Sequence, residues 1–488
     1  MGRGRRGEGN EAFAVGGLLA VFALARVLYY LAGVRFDATP LATYWQYLDP
    51  VLLRTDLWRS LWFLHSQPPL YNLFIGAVLG LFDSPQPAFA AVGSVLGAAV
   101  VVMLYLLARR LGATRASALA LAGLYAVSPT LVLYENWLHY TLPVIALLLG
   151  AVFAAERVAA TGRRRWAAAL GTALAGLCLT MSFFHVLFVV PAGLAAFWGA
   201  WRGSRAGRRA AIAVGAALVV ILAWYGKNLV TFGTFSASSW FGMNLARMTH
   251  TFVPKPELES LVASGSLSPL ALIAPFSSPD AYAAAVPGSE TRTPTGVPAL
   301  DQRTRASGTP NFNHIGYVDV SRAYLRDARR LLRLRPAAYW RSGLDANLIF
   351  FMPATAFIGL GENRVRARGA VLAAELLQGR LMFHIEPELQ RTDRATFYRQ
   401  KALNMGLALP LLYAVALAAA AVLCLRLRRR EPARAAAFGL IAVTLVYVWA
   451  AGTLLEVGEN MRFRSLVEAL VLVVLAALAG ARRAGRPA

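Results

Sequence analysis

The chain has 488 residues, 57% of them hydrophobic and only 15% charged, with a mean hydropathy of +0.52. An ordinary soluble domain carries about 25% charged residues, so that class is excluded, and repeated apolar runs of roughly 20 residues mark a polytopic membrane protein. The net charge of +24 invites a nucleic-acid reading that its distribution argues against, and two cysteines inside apolar runs, Cys178 and Cys424, build neither a disulfide framework nor a cysteine metal site.

The basic start, MGRGRRGEGN, leads into an apolar run to Val34. That run exceeds the about 7–15 residues of a signal-peptide core, so it reads as a first span with a cytoplasmic basic tail. Apolar spans are expected near 12–34, 86–108, 116–134, 140–158, 166–182, 185–201, 210–230, 403–425, 434–454 and 465–481. Two more apolar stretches, 68–83 and 343–361, are short and interrupted. If both lie on or dip into the outer face, the clusters Arg3/Arg5/Arg6, Arg109/Arg110/Arg115, Arg157/Arg163/Arg164/Arg165, Arg202/Arg205/Arg208/Arg209, Arg426/Arg428/Arg429/Arg430/Arg434 and Arg482/Arg483/Arg486 share one side. The short loops 135–139 and 183–184 on the other side hold no Lys or Arg, as the positive-inside rule requires. Much of the charge is then topological, and no nucleic-acid partner is needed. Only three basic residues are lysines, Lys227, Lys255 and Lys401, which together with the alanine content suggests a GC-rich bacterial genome. The expectation is a multi-pass protein of the bacterial cytoplasmic membrane with both termini inside.

This division leaves an N-terminal transmembrane module over 1–230, an extracytoplasmic loop over 231–402 and C-terminal transmembrane helices over 403–488. The first outer loop and its interfacial helix (35–83) hold Asp37 just beyond the first span, then Asp49 and Asp56, with Trp45, Tyr47, Trp58 and Trp62 interleaved. A carboxylate at the mouth of a helix bundle suits deprotonation of a hydroxyl; a solvated loop acid is the bland reading. Next comes HSQPPLYNL, residues 65–73. Its two prolines fix φ and remove two backbone donors, which makes the segment a rigid rim carrying His65 and Gln67 rather than a span; the bland reading is a surface turn before a membrane-buried helix, with Tyr71 and Asn72 as interface anchors. Arg26 lies inside the first span, where a charge faces a partner or a cavity; Glu468 is one candidate partner. The large outer loop is rich in proline, holds the polar run GSETRTPTG, and shows no sign of a core of its own. Its Asn311, Asn313 and His314 are candidates for contact with an acceptor.

The order of acid, aromatic-rich stretch and His-x-x-Pro-Pro-Leu resembles the lipid-linked-sugar glycosyltransferases of the GT-C fold. The nearest branch is that of the dolichyl-phosphate-mannose protein mannosyltransferases and the lipid A aminoarabinose transferases. Asp37 matches the family's first acid by position, although Ala38 follows where the family has an Asp-Glu pair, and Asp49 is the alternative. LYENWLHYTLP places Glu135 and His139 where the family often has a second acid. AWYGKNLVTFGTFSASSWFGMNL (223–245) resembles the family's W-x-x-R-N stretch, with Lys227 in the arginine position and Asn228 after it. LEVGENMRFRSLVEAL (455–470) resembles its E-x-x-R-F-R stretch and supplies Arg462 and Arg464.

The resemblance implies an all-α, GT-C-like bundle of about ten transmembrane helices with interfacial helices and a large extracytoplasmic loop. It also implies an inverting hexosyl- or pentosyltransferase that takes a sugar from a polyprenyl phosphate and gives it to a glycan, lipid or protein hydroxyl outside the membrane. Asp37, Asp49 or Glu135 is the expected catalytic acid or base. His65, Gln67 and His139 are expected on the sugar, and Lys227, Asn228, Arg462, Arg464 and Arg26 near the phosphate, where arginine's planar fork suits the anion. No P-loop or glycine-rich nucleotide fingerprint is present, and no His pair at helical spacing with a carboxylate suggests zinc. No cofactor is expected, with a divalent ion on the outer carboxylates left open. Two other readings compete: a transporter or lipid flippase, and an inactive GT-C scaffold in envelope assembly. A transporter gathers polar groups at the bilayer midplane, whereas here they gather at the outer ends of the spans.

Overall fold

The computed structural model describes residues 2–200, 204–282, 285 and 294–484, and the regular secondary structure of these segments is helical apart from two isolated β-bridges. Arg202, Arg486 and most of the GSETRTPTG run lie outside the described residues. Seven helices are long and apolar enough to cross a membrane, and a bent pair makes an eighth. The chain is thus an all-α, integral multi-pass membrane protein, as expected.

The first span ends helix α1 (Gly2–Leu31). The outer loop then forms a single helical turn, Pro40–Thr43, and two short helices, α2 (Pro50–Thr55) and α3 (Leu57–Trp62). Helix α4 (Pro69–Leu81) starts with Pro69, whose missing N–H is no loss at a first helical position. At 13 residues it is too short to span. Then follow α5 (Pro85–Arg110), α6 (Arg115–Val127), α7 (Pro129–Glu135), α8 (Thr141–Thr161), α9 (Arg164–Thr180), α10 (Val186–Ala200) and α11 (Arg205–Phe232). The expected span 116–134 is the bent pair α6–α7, broken by 51° at Ser128–Pro129, because proline cannot donate to the preceding turn. The expected spans 166–182 and 185–201 correspond to α9, of 17 residues, and α10, which contains Pro191. Neither belongs to the seven, so length and composition account for eight of the ten expected crossings.

The large loop contributes α12 (Phe241–His250), α13 (Gly316–Leu334) and α14 (Pro336–Phe350). Two expectations are corrected here. The stretch 343–361 is not one interfacial helix: α14 ends at Phe350, and Pro353 leads into two 3₁₀ turns, Ala354–Ala356 and Ile358–Leu360. The loop also has apolar clusters of its own, one around Trp240, Phe276, Phe312, Tyr317 and Tyr324, another around Phe252, Leu258 and Leu331. Turns rather than regular elements bring several of these residues together, so no periodicity announced them.

Three helices close the chain: α15 (Ala408–Leu427), α16 (Pro432–Leu454) and α17 (Asn460–Ala484). In α16 and α17, 67% and 72% of the apolar window is buried inside the protein, against 17% in α15. The first two are therefore core helices, while α15 turns its leucines and valines to lipid, which solvates them as well as a protein neighbour would.

Candidate active site

Residues from three loops meet at one end of the bundle. The loop after α1 pairs with the loop between α7 and α8: Asp37 N–H donates to Asn136 O at 2.8 Å, and Leu138 N–H donates to Asp37 O at 3.0 Å. This bridge holds Asp37 beside Trp137. The Asp37 carboxylate is half-buried and accepts from Thr39 N–H at 2.9 Å.

Asp49 is placed differently. It caps α2, accepting from Val51 N–H at 2.9 Å, while its second oxygen accepts from Ala306 N–H at 2.6 Å. It is 5% exposed. Both oxygens already bind backbone donors, so Asp49 ties the first loop to the large one.

Glu135 and Arg26, expected in separate roles, bind each other. Arg26 Nε donates to the two carboxylate oxygens at 3.1 and 3.2 Å, and Ser94 Oγ donates to Glu135 at 3.3 Å. Arg26 also donates to Ala126 O, and Tyr29 Oη donates to Val127 O at 3.1 Å. These carbonyls lie at the α6–α7 break, where a membrane-embedded chain must supply the acceptors with donors. The alternative of an Arg26–Glu468 pair is overturned, since Glu468 binds Arg464. Gly97 of α5 makes room for this pair: a Cβ there would stand 2.3 Å from Glu135 Oε2.

His139 is 2% exposed and stacks on Trp137 with centroids 4.2 Å apart. Thr141 N–H donates to its Nδ1 at 3.2 Å, so in the neutral ring the proton sits on Nε2, which has no protein partner. Burial, aided by the Arg462 charge, holds this imidazole well below the ordinary histidine range. Tyr44 packs edge-on to His139 at 4.8 Å, and its hydroxyl reaches Glu459 at 3.5 Å. Glu459 holds Arg462 through Nε at 3.0 Å. Arg462 is 1% exposed, its guanidinium carbon lies 5.5 Å from the Tyr140 ring centre, and its Nη1 has no partner. Its neighbour Arg464 is fully engaged, donating to Phe350 O at 3.0 Å and pairing with Glu468 at 2.7 Å. An open cleft runs beside His139, lined by Phe36, Tyr71, Phe74, Glu135, Trp137 and His139 among others.

The segment HSQPPLYNL forms a second, adjoining cluster. Asn313 Oδ1 accepts from His65 N–H at 2.9 Å and Ser66 N–H at 3.1 Å, and Asn313 O lies 2.9 Å from His65 Nε2. A carbonyl only accepts, so Nε2 carries the proton and Nδ1 accepts from Ser239 Oγ at 2.8 Å. Gln67 is buried and accepts from Ser182 Oγ at 3.3 Å. Lys227 Nζ donates to Trp62 O at 2.9 Å and Leu64 O at 3.1 Å, closing the carbonyl end of α3. Asn228 Nδ2 donates to Ser236 O at 2.7 Å. The motif is thus a latch between the first loop and the large loop. Asn311 and Asn313, expected toward an acceptor, are buried, and Asn313 is spent on this latch. His314 is also buried, and its Nδ1 accepts from Gly316 N–H at 3.1 Å. Tyr71 joins the two clusters, its ring 5.5 Å from Tyr47 and 5.7 Å from Tyr140, while Asn72 accepts from Leu48 N–H at 2.9 Å.

Burial pushes the His65 imidazole from 6.5 down to about 3, with Lys227 adding to the effect and the Asn313 carbonyl opposing it. Between those values the unfolded chain takes up a proton that the folded chain refuses. His65 therefore contributes its full stability above its unfolded value of 6.5 and loses it as pH falls toward about 3. His139, His250 and His314, each lowered chiefly by burial, act in the same direction. The melting temperature of the purified protein should fall from about pH 7 to about pH 4, and His65→Gln should flatten that slope while lowering the neutral value. An equal slope in both proteins would refute the assignment.

Glu459 and Tyr44 were not singled out from the sequence. Glu459 had a readable signal, standing three residues before Arg462 at helical spacing; Tyr44 had none beyond its aromatic neighbours. Among the described residues no three His, Cys, Asp or Glu side chains gather to hold a metal ion.

Comparison with known proteins gives three findings. No curated protein sequence matches the chain. Two solved structures of ArnT from Cupriavidus metallidurans, one bound to undecaprenyl phosphate and one apo, are 15% and 16% identical. Each covers 90% of this chain, with 77% and 78% of their own lengths matched and TM-scores of 0.35 and 0.33; a likeness at this level says nothing of individual residues. The sequence profile of the dolichyl-phosphate-mannose-protein mannosyltransferases matches residues 66–225. That segment runs from the HSQPPLYNL latch through Glu135 and His139 to the middle of α11, and over it the chain is similar to the family whose motifs its sequence resembles.

Proposed function

We propose that the chain is an inverting glycosyltransferase that moves a sugar from a polyprenyl phosphate to an acceptor hydroxyl, on the extracytoplasmic face of a bacterial membrane. One observation carries the reading. Two buried donors, Arg462 Nη1 and His139 Nε2, lack protein acceptors and pack against the same Tyr140 ring, and His139 lines a cleft together with Phe36 and Trp137, the chain neighbour and the bridge partner of Asp37. A buried unpaired donor costs about 1–3 kcal/mol, so such a pair marks the place of an acceptor group supplied from outside the chain. The family match over residues 66–225 supports a sugar on a lipid phosphate as that ligand.

In the proposed reaction the acceptor hydroxyl gives its proton to the Asp37 carboxylate. Its oxygen bonds to the anomeric carbon from the side opposite the phosphate, and the bond from that carbon to the phosphate oxygen breaks. The electron pair leaves with the polyprenyl phosphate, which changes from a diester with one charge to a monoester with up to two. Arg462 faces the growing charge, and the His139 N–H adds a neutral donor; groups fixed in advance where charge develops stabilise the transition state most. Single displacement inverts the anomeric centre. The arginine clusters at the other end of the bundle, read by the positive-inside rule, support an outward-facing cleft.

The test is a transfer assay. Membranes containing the full chain receive a panel of radiolabelled polyprenyl-phosphate hexoses and pentoses with an acceptor-rich envelope extract. Label passing from one donor to an acceptor is the expected result. No transfer from any donor would move the reading to a transporter or an inactive scaffold.

A further inference from the structure

Helix α13 carries a stripe of arginines that the transfer reaction does not use. Arg326, Arg329, Arg330 and Arg333 recur at offsets of three and four residues, so they share one face. All four are exposed, and among the described residues none makes an ion pair. The opposite face packs Val320, Tyr324, Ala328 and Leu331 into the large loop, so the stripe points away from the protein.

The position of the stripe relative to the bilayer follows from its neighbour. Arg335 alone separates α13 from α14, which starts at Pro336. Near the start of α14, Tyr339 Oη donates to Leu454 O at 2.8 Å, at the loop-side end of the spanning helix α16. Further along, Asn347 Oδ1 accepts from Trp449 Nε1 at 2.9 Å, more than a turn deeper on the same span. Helix α14 thus descends into the membrane zone beside α16, and the end of α13 lies at its surface. Trp340 and Leu344 on α14 are 63% and 49% exposed. Unpaired arginines along one helix, with exposed apolar side chains on the helix that continues from its end into the membrane zone, form the pattern of a membrane-interface contact, and a soluble polyanion would need no such apolar margin. Short loops on this side are otherwise poor in basic residues.

We propose that the Arg326–Arg333 face of α13 binds the phosphate headgroups of anionic phospholipids in the adjoining leaflet, clamping the large loop to the bilayer. The contact is separate from the cleft and holds whether or not the chain transfers sugar.

Full-length protein, delipidated in neutral detergent, would be titrated with phosphatidylglycerol, phosphatidylcholine or inorganic phosphate, and its melting temperature followed. Phosphatidylglycerol should raise it, rising salt should weaken the effect, and the other two should not reproduce it. R329Q/R330Q/R333Q should need more phosphatidylglycerol for the same shift, by roughly five-fold for each arginine removed. R329K/R330K/R333K, which keeps the charge, should retain most of the response. An equal response in the glutamine variant, a shift with phosphatidylcholine or inorganic phosphate as large as with phosphatidylglycerol, or a salt-independent shift would overturn the proposal. The salt arm uses wild type alone, so it decides even if a variant fails to fold. A shift produced by an acidic polysaccharide and not by lipid would assign the face to a soluble partner instead.

Discussion

Asp37→Asn is expected to lower turnover in the transfer assay by about two to four orders of magnitude, the range that removal of a positioned general base produces, with donor binding and melting temperature near wild type. The expectation rests on the contrast with Asp49. Asp37 is fixed by its backbone, through bonds of 2.8 and 3.0 Å to Asn136 and Leu138, and its side chain spends one recorded bond on Thr39 N–H. An amide of the same shape preserves the bridge and removes only the basicity. Asp49 spends both oxygens on the N–H groups of Val51 and Ala306 in a buried setting. Asp49→Asn turns one acceptor into a donor facing an N–H, so it should cost stability, about 1–3 kcal/mol for the backbone N–H left without an acceptor, with turnover per folded molecule retained. The reverse pattern, turnover lost in Asp49→Asn and kept in Asp37→Asn, would make Asp49 the base.

How far the sequence could be read depended on the range of the interaction concerned. The spans were legible because hydropathy and length are local properties, and the break in the third expected span stands in the text as Pro129. The start of α4 at Pro69 and its inability to span were legible for the same reason. Partners were not legible. Arg26 was read as facing the lipid phosphate or Glu468, and the structure gives it Glu135, 109 residues away, because only the folded bundle brings the α6–α7 break against α1. His65 was read as a substrate contact; its ring and backbone meet Asn313, 248 residues away. A histidine beside two prolines looks the same on paper whether it serves a ligand or a latch. The large loop was read as lacking a core because its aromatic residues follow no helical or strand period, yet turns assemble them into one.

Arg462 and Arg464 stand two residues apart on α17 and were expected to share a task; their surroundings predict different outcomes. Arg464 has donors on Phe350 O and Met352 O and a salt bridge to Glu468. Arg464→Gln should therefore uncap α14 and lower the melting temperature, with turnover per folded molecule near normal. Arg462 is equally buried, but its recorded bonds go to Glu459 alone, and Nη1 has no acceptor. If that N–H meets the departing phosphate, Arg462→Gln should reduce kcat by about 10²–10³-fold, as loss of a preorganised charge-stabilising donor does in other enzymes. Inhibition by free polyprenyl phosphate, the leaving group itself, should weaken alongside kcat. Arg462→Gln will also leave Glu459 without its cation, but Glu459 is partly exposed and can be hydrated, so the penalty should stay below the roughly 3–5 kcal/mol of a fully buried broken pair. The double variant Arg462→Gln/Glu459→Gln separates the two effects: stability should recover and turnover should not. If turnover recovered with stability, Arg462 would be a positioning residue for Glu459 and Tyr44, and the phosphate would have to be held elsewhere in the cleft.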